Sequence, residues 1–239
     1  MNYKNLIIIN NEKIFNENNS FYCDNLDLKV LPEGLNNNFD VQYIVRKSNK
    51  KGKQKINLKD IKPASNILKF LYFVLKTLKI PSTSYLLISI TPYNFLAFLI
   101  LLLFRRRVFI YLFSKGHEEY RYILGRGFVW IYHIMYLIVT SNAKVLVNHQ
   151  RLFNKEKSHL INSSRIDQQW LNNHNQANIN NAKFLYIGRM NPEKGIFQFI
   201  EMLNKAKFDF EFSIVGDSKN HKILNQKIKH LGYVADPES

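Results

Sequence analysis

Residues 183–203, KFLYIGRMNPEKGIFQFIEML, decide how the chain is read. The first five, KFLYI, make a short apolar run of the length and composition of a buried strand. Gly188 follows, then the polar turn Arg189-Met190-Asn191-Pro192-Glu193-Lys194-Gly195, then Ile196, Phe199, Ile200 and Leu203 at helical spacing on one face. Asn191 is a good N-cap and Pro192 suits the first helical position, so the helix is expected to begin there. A strand that turns tightly into a helix aims backbone N–H groups and the positive end of the helix dipole at an anion. Arg189 and Lys194 add two cations beside that turn, and Gly188 permits close backbone approach. Such an arrangement suits a diphosphate, whose charge grows as it becomes a leaving group. Spacing alone also fits two ordinary surface cations near a strand end, and it leaves both readings open.

Toward the C-terminus, Glu211–Val215 reads as a second strand, ending in Gly216-Asp217, and Leu231–Val234 as a third. These make a β–α–β–α–β array whose strand carboxyl ends form a ligand crevice. Toward the N-terminus, Asn172–Asn181 is Asn-rich and non-periodic and reads as a linker. The expected domains are therefore residues 1–175 and 176–239.

The first domain alternates strands and helices. Asn5–Asn10, Val41–Val45, Tyr85–Ile90, Val108–Phe113 and Lys144–Asn148 read as strands, and Ser158–Ile166 holds another short one. Residues 22–38 read as a helix broken at Pro32, Ser48–Lys59 as a basic loop, and Asn66–Leu78 and Phe128–Val139 as helices. Ser114–Tyr120, which contains His117, reads as a polar loop at a strand end. His133, in an apolar helix, reads as a core histidine. The alternation predicts a doubly wound parallel sheet.

Ile80–Phe104 holds 25 residues without a charge and is followed by Arg105–Arg107. That length spans a bilayer, and the arginines would anchor it. The run is, however, punctuated at Pro81–Ser84 and Thr91–Asn94, and a strand–helix–strand covered on both faces is equally apolar. The expectation is a buried strand and a buried helix starting near Thr91 or Pro92. A helix dipping one face into a lipid interface lies between the two readings.

The chain has 239 residues, 46% of them apolar, which excludes wholesale disorder. One cysteine, Cys23, excludes an internal disulfide framework and any multi-cysteine metal site; it is expected to be a small half-buried hydrophobe. No basic and apolar secretory leader pattern opens the chain. The net charge is +16, and residues 1–181 hold 25 basic and 11 acidic residues against 9 and 7 beyond. The densest stretch, Arg46–Lys79, has eleven Lys and Arg opposed by Asp60 alone. A one-sided basic surface fits an anionic partner, whether a phosphate-bearing substrate or an anionic membrane, and equally fits a solvated lysine-rich surface with no such partner. Nucleic acid is not expected, because no zinc-finger, RNA-binding or helix-turn-helix signature is present.

FLYIGRMNPEKGI, FSIVGD and IKHLGYV, in that order, resemble the donor-binding domain of retaining GT-B glycosyltransferases of family 4, the group 1 glycosyl transferases. The resemblance covers roughly residues 182–236 and is diffuse before them, apart from SKGHEEY and the apolar helix after it. It implies an α/β protein of GT-B type, with two Rossmann-like doubly wound parallel-sheet domains. The first would bind an acceptor and the second a nucleotide-diphosphate sugar donor. Arg189 and Lys194 would hold the donor diphosphate and neutralise it in the reaction, Gly188 would line that site, and Gly216 and Asp217 would sit at the crevice. Gly232, Tyr233 and Val234 would approach the nucleobase. His117 would face the reacting sugar, or else cap its loop.

No metal or cofactor is implied. The acceptor would be a cell-envelope glycan or lipid-linked molecule. The location would be cytoplasmic, with peripheral contact to an anionic membrane. The family's Gly-rich loop after the first strand is replaced by Asn10–Asn11 and Asn16–Ser20, and its Glu-x7-Glu element would lie beyond Ser239. The second domain is therefore expected to be incomplete and the chain's own activity doubtful. The readings left beside an enzyme are a non-catalytic module that binds nucleoside diphosphates or a partner chain, and a protein anchored in a membrane by residues 80–104.

Overall fold

A computed structural model of the chain describes residues 4–114, 116–150, 158–161, 172, 182–188, 190, 194–216 and 227–232. It divides into two compact units, Met1–Ser163 and Ser164–Ser239.

In the first unit, β1 (Lys4–Glu17) lies between β3 (Phe39–Ser48) and β6 (Ser84–Ile88), parallel to both. β5 (Asp60–Ala64) extends the sheet beyond β3, and β7 (Arg107–Leu112), β8 (Lys144–Val147) and β9 (Ser158–Leu160) extend it beyond β6, all in parallel. The order β5-β3-β1-β6-β7-β8-β9 reverses direction at β1 and β6, which makes their carboxyl ends the topological switch point.

Helices cover both faces, which is why the strands read as apolar runs rather than alternations. Ile7 and Ile9 face α2 (Ile67–Thr77), α3 (Pro92–Leu103) and α5 (Val129–Asn142), whose Phe70, Phe98 and Val139 share one core with them. Leu6 and Ile8 point the other way, into a core with Leu28 of α1 (Asp27–Leu35). Asn66 caps α2 by accepting from the Lys69 N–H at 2.9 Å, and Thr91 caps α3, with Pro92 at its start. The uncharged run is thus split between β6 and α3, with Ser89 at φ +64° between them. Among the described residues, no helix is long and apolar enough to cross a membrane.

Several expectations are corrected. β1 does not stop at Asn10; its register shifts between Ile9 and Lys13, and it continues to Glu17 as a hairpin with β2 (Ser20–Cys23). The basic loop contains β4 (Gln54–Ile56), antiparallel to β2. Pro32 lies inside α1 without ending it, since its buried ring offsets one missing helical hydrogen bond. Cys23 is fully rather than half buried, and its thiol donates to the Asn25 carbonyl at 3.3 Å. His117 opens the short helix α4 (His117–Ile123) instead of lying in a loop.

The second unit has a parallel sheet of β10 (Ala182–Ile187), β11 (Phe210–Val215) and β12 (Ile228–Gly232) in that order. α6 (Ile196–Asn204) packs Ile196, Phe199 and Leu203 on Phe184, Tyr186 and Phe212 of one face. Leu185, Ile187 and Leu231, on β10 and β12, are exposed. α6 starts at Ile196, with Gly195 before it at φ +73°; Asn191 and Pro192, expected to cap and open the helix, lie outside the described residues. β12 also starts three residues before the expected Leu231, while Tyr233 and Val234 lie outside the described residues.

Candidate functional site

Three glycines terminate the three strands of the second unit. Gly188 follows β10, Gly216 follows β11, and Gly232 ends β12. The Gly188 N–H donates to the Val215 carbonyl at 2.9 Å, and the Gly216 N–H donates to the Gly232 carbonyl at 2.8 Å. These amides therefore extend the sheet ladder and are not offered to an anion. Their contribution is the bare backbone: a Cβ on Gly216 would overlap the Gly188 carbonyl, and Gly216 also holds φ +151°. Nε2 of His230 lies 3.1 Å from the Gly216 carbonyl and donates to it, a contact that the sequence reading missed. Its signal was a lone titratable residue two positions before a strand-end glycine.

Lys194 stands exposed just ahead of α6, and Gly195 N-caps that helix with no side chain to satisfy its first-turn N–H groups. The structure thus brings Gly188, Gly216 and Gly232 side by side, and the topology puts Lys194 on the connection leaving the same sheet edge. Arg189, Asn191, Pro192, Asp217, Tyr233 and Val234 lie outside the described residues.

In the first unit, the switch point is polar. Asn10 is buried at the bend of β1; its Nδ2 donates to the Tyr43 hydroxyl at 3.2 Å, and its Oδ1 accepts from the Glu12 N–H at 3.1 Å. Across the gap, Asn94 Nδ2 donates to the Ile88 and Ser89 carbonyls at 2.6 and 3.0 Å, pinning the first turn of α3 to the end of β6. The Arg46 guanidinium lies over the Tyr93 ring, 4.6 Å from its centre, and within 3.4 Å of Asn11 Oδ1. The sequence counted Arg46 only as the first of a basic stretch.

His117 and His133 form a second cluster in that unit. His133 is exposed rather than a core histidine, and its Nδ1 lies 3.2 Å from Nε2 of His117. Their ring centres are 5.5 Å apart, the separation reached when both nitrogens point straight at each other. Such a head-on contact is a hydrogen bond with one donor and one acceptor; a chelated metal would need the two lone pairs to converge at an angle. Among the described residues, no three His, Cys, Asp or Glu side chains group as a metal site. Tyr132 and Tyr136 meet the His117 ring edge-on, at 4.7 and 5.4 Å between centres. Gly116, at φ +54°, leaves no room for a Cβ against the Tyr132 ring, so this close approach seats His117 against α5. Burial raises the Tyr132 phenol above its ordinary range, with Glu119 adding to the effect.

No protein-family model matches the chain, and no curated protein matches it in sequence. Solved structures do resemble it. The apo form of the lipopolysaccharide outer core galactosyltransferase WaaB aligns with a TM-score of 0.53 at 12% identity, covering 98% of this chain and 69% of that one. The UDP-GlcNAc 2-epimerase from Methanocaldococcus jannaschii aligns at 0.46 and 14% identity, covering 98% and 74%. The likeness to the galactosyltransferase, a parallel sheet covered on both faces and a second parallel sheet ending in three glycines together make this a mixed α/β chain of the GT-B fold type.

Proposed function

We propose that the chain is a retaining glycosyltransferase of family 4, moving a sugar from a nucleotide-diphosphate sugar to a cell-envelope glycan or a lipid-linked acceptor. The observation that carries this reading is the row of Gly188, Gly216 and Gly232 at the carboxyl ends of three adjacent parallel strands, with Lys194 at the head of the helix between the first two. A bare backbone edge admits a nucleotide, and a cation beside a helix N-terminus suits its diphosphate.

In this reading Lys194 and Arg189 neutralise the diphosphate as its bond to the sugar breaks. The acceptor hydroxyl bonds to the same carbon from the same face, and its proton passes to the departing phosphate oxygen. The cations supply the charge stabilisation that the step requires. Asp217 borders the crevice, and Gly232, Tyr233 and Val234 lie along the nucleobase. His117 faces the reacting sugar, with its ring held by His133. The protein works in the cytoplasm, in peripheral contact with an anionic membrane.

The test is transfer of radiolabel from nucleotide sugars to a lipid-linked acceptor fraction, with the anomeric configuration of the product determined. Transfer with retained configuration is expected. An inverted product would overturn the mechanism, and a chain that binds donor without transferring sugar would be a binding module.

A further inference from the structure

Gly216 is held on three sides at the strand ends where the proposed donor site lies. Its N–H donates to the Gly232 carbonyl at 2.8 Å, its Cα stands against the Gly188 carbonyl, and its own carbonyl lies 3.1 Å from Nε2 of His230. The first two contacts are backbone. Among the described residues, one side chain hydrogen-bonds this row of glycines, and it is His230.

The Gly216 carbonyl needs such a partner. Val215↔Gly232 is the last pair of the described ladder between β11 and β12, so no strand amide of the described residues stands opposite that oxygen. Left bare, it would keep an unmet lone pair and a partial negative charge at the rim of the crevice, where it would repel a diphosphate.

A β-bulge brings the imidazole there. Ile214 pairs with His230 and Val215 with Gly232, which leaves Leu231 as one extra residue on β12. Bulges are uncommon between parallel strands, and they re-aim a side chain or end a ladder. A strand side chain ordinarily stands across the sheet. The His230 ring instead reaches along β11, to the residue two positions past its ladder partner Ile214. The alternation of a strand also puts His230 on the face of Ile228, which shares one core with Phe212, Ile214 and Ile196 of α6. The ring therefore lies on the α6 face of the sheet, at the carboxyl ends of its strands.

Two plainer roles fit less well. His230 is exposed, so water can take its place at the carbonyl and little stability depends on it. A ligand at the rim would then have to order or displace that water. Nor can Nε2 serve as a base while it donates to Gly216.

We propose that His230 is a positioning residue of the donor site. Its Nε2–H caps the Gly216 carbonyl and fixes this glycine between Gly188 and Gly232, so that a nucleoside diphosphate meets a rim with no bare oxygen. This rests on the donor reading given above and adds to it a residue that acts through Gly216.

The test is calorimetric titration of the full chain with nucleoside diphosphates of the four common bases, comparing wild type, His230→Phe, His230→Gln and Lys194→Ala. His230→Phe keeps a flat ring without a donor, and His230→Gln keeps an N–H at similar reach. His230→Phe should weaken binding by about fivefold or more, and His230→Gln should stay within about twofold of wild type, with neither lowering the unfolding temperature. In the free protein, the Gly188 and Gly216 amide hydrogens should exchange about threefold or more faster in His230→Phe and at the wild-type rate in His230→Gln. Nitrogen NMR of the unaltered chain should find the proton of the neutral His230 ring on Nε2. A proton on Nδ1, or a His230→Gln variant as weak as His230→Phe, would overturn the proposal. Binding that Lys194→Ala weakens and His230→Phe leaves unchanged would overturn it alone and leave the donor reading standing. A wild-type chain that binds none of the diphosphates would overturn both.

Discussion

Gly216 lies so close to Gly188 that any side chain on it would run into the Gly188 carbonyl. The two residues end neighbouring parallel strands, and the Gly188 amide is bonded to the Val215 carbonyl directly before Gly216. The backbones are thus locked together where a doubly wound sheet holds its ligand. Gly216→Ala should force them apart and strain a φ of +151°, lowering stability by about 2–4 kcal/mol. Gly34→Ala, in α1 with open space around it, should be neutral or stabilising by about 0.5–1 kcal/mol. Urea unfolding of both variants checks the pair.

His133 should act on His117 through a single head-on hydrogen bond. His133→Phe keeps an aromatic ring but removes that partner. The ring-nitrogen NMR shifts of His117 should move, while stability changes by no more than about 1 kcal/mol at this exposed position. Unmoved shifts would mean that the bond does not hold in solution.

Gly116→Ala should disturb the same place more strongly, since it adds a Cβ against Tyr132 at φ +54°. A loss of about 1–3 kcal/mol is expected. The double variant with Tyr132→Ala should be less destabilised than the sum of the single changes, because the clash disappears with the ring. Thermal or urea unfolding of the four proteins decides it.

Alkaline pH should destabilise the fold. Burial, with Asp24 and Glu33 nearby, pushes the Cys23 thiol from 9.0 up to about 11. Burial also raises the Tyr43 and Tyr132 phenols. Groups raised in the folded state keep protons that the unfolded chain has lost, so the unfolded chain binds fewer and stability falls as pH rises. For Cys23 the loss begins near pH 9 and is complete near 11. The urea midpoint should fall across that window, and Cys23→Ala should flatten the fall. Thiol reagents should label Cys23 slowly until the protein unfolds.

The local pattern made most of the fold legible. Asn66 and Thr91 announced their helices because a capping side chain acts within three residues. The strands at Val41–Val45, Tyr85–Ile90, Val108–Phe113 and Lys144–Asn148 were readable because cores on both faces demand uninterrupted apolar runs, whereas the short and polar β5 was not. What escaped was set by distant partners. The continuation of β1 past Asn10 depends on pairing with β2 and β3, and β4 exists because β2 lies beside it. At the candidate site, the three glycines stood out by their place at strand ends, but their contact with one another did not. The contacts of His230 with Gly216 and of His133 with His117 span 14 and 16 residues, and no local pattern encodes them. The left-handed conformation of Gly195 ahead of α6 was not legible either, because a glycine's type alone does not say which φ it adopts.

Calorimetric titration of the full chain with nucleoside diphosphates of the four common bases tests the donor site itself. One of them should bind at a single saturable site, and Lys194→Ala should weaken it by about tenfold or more, as loss of a charge-assisted phosphate contact does. If none binds, or if Lys194→Ala leaves the affinity unchanged, the glycine edge and its lysine are not a nucleotide-sugar site.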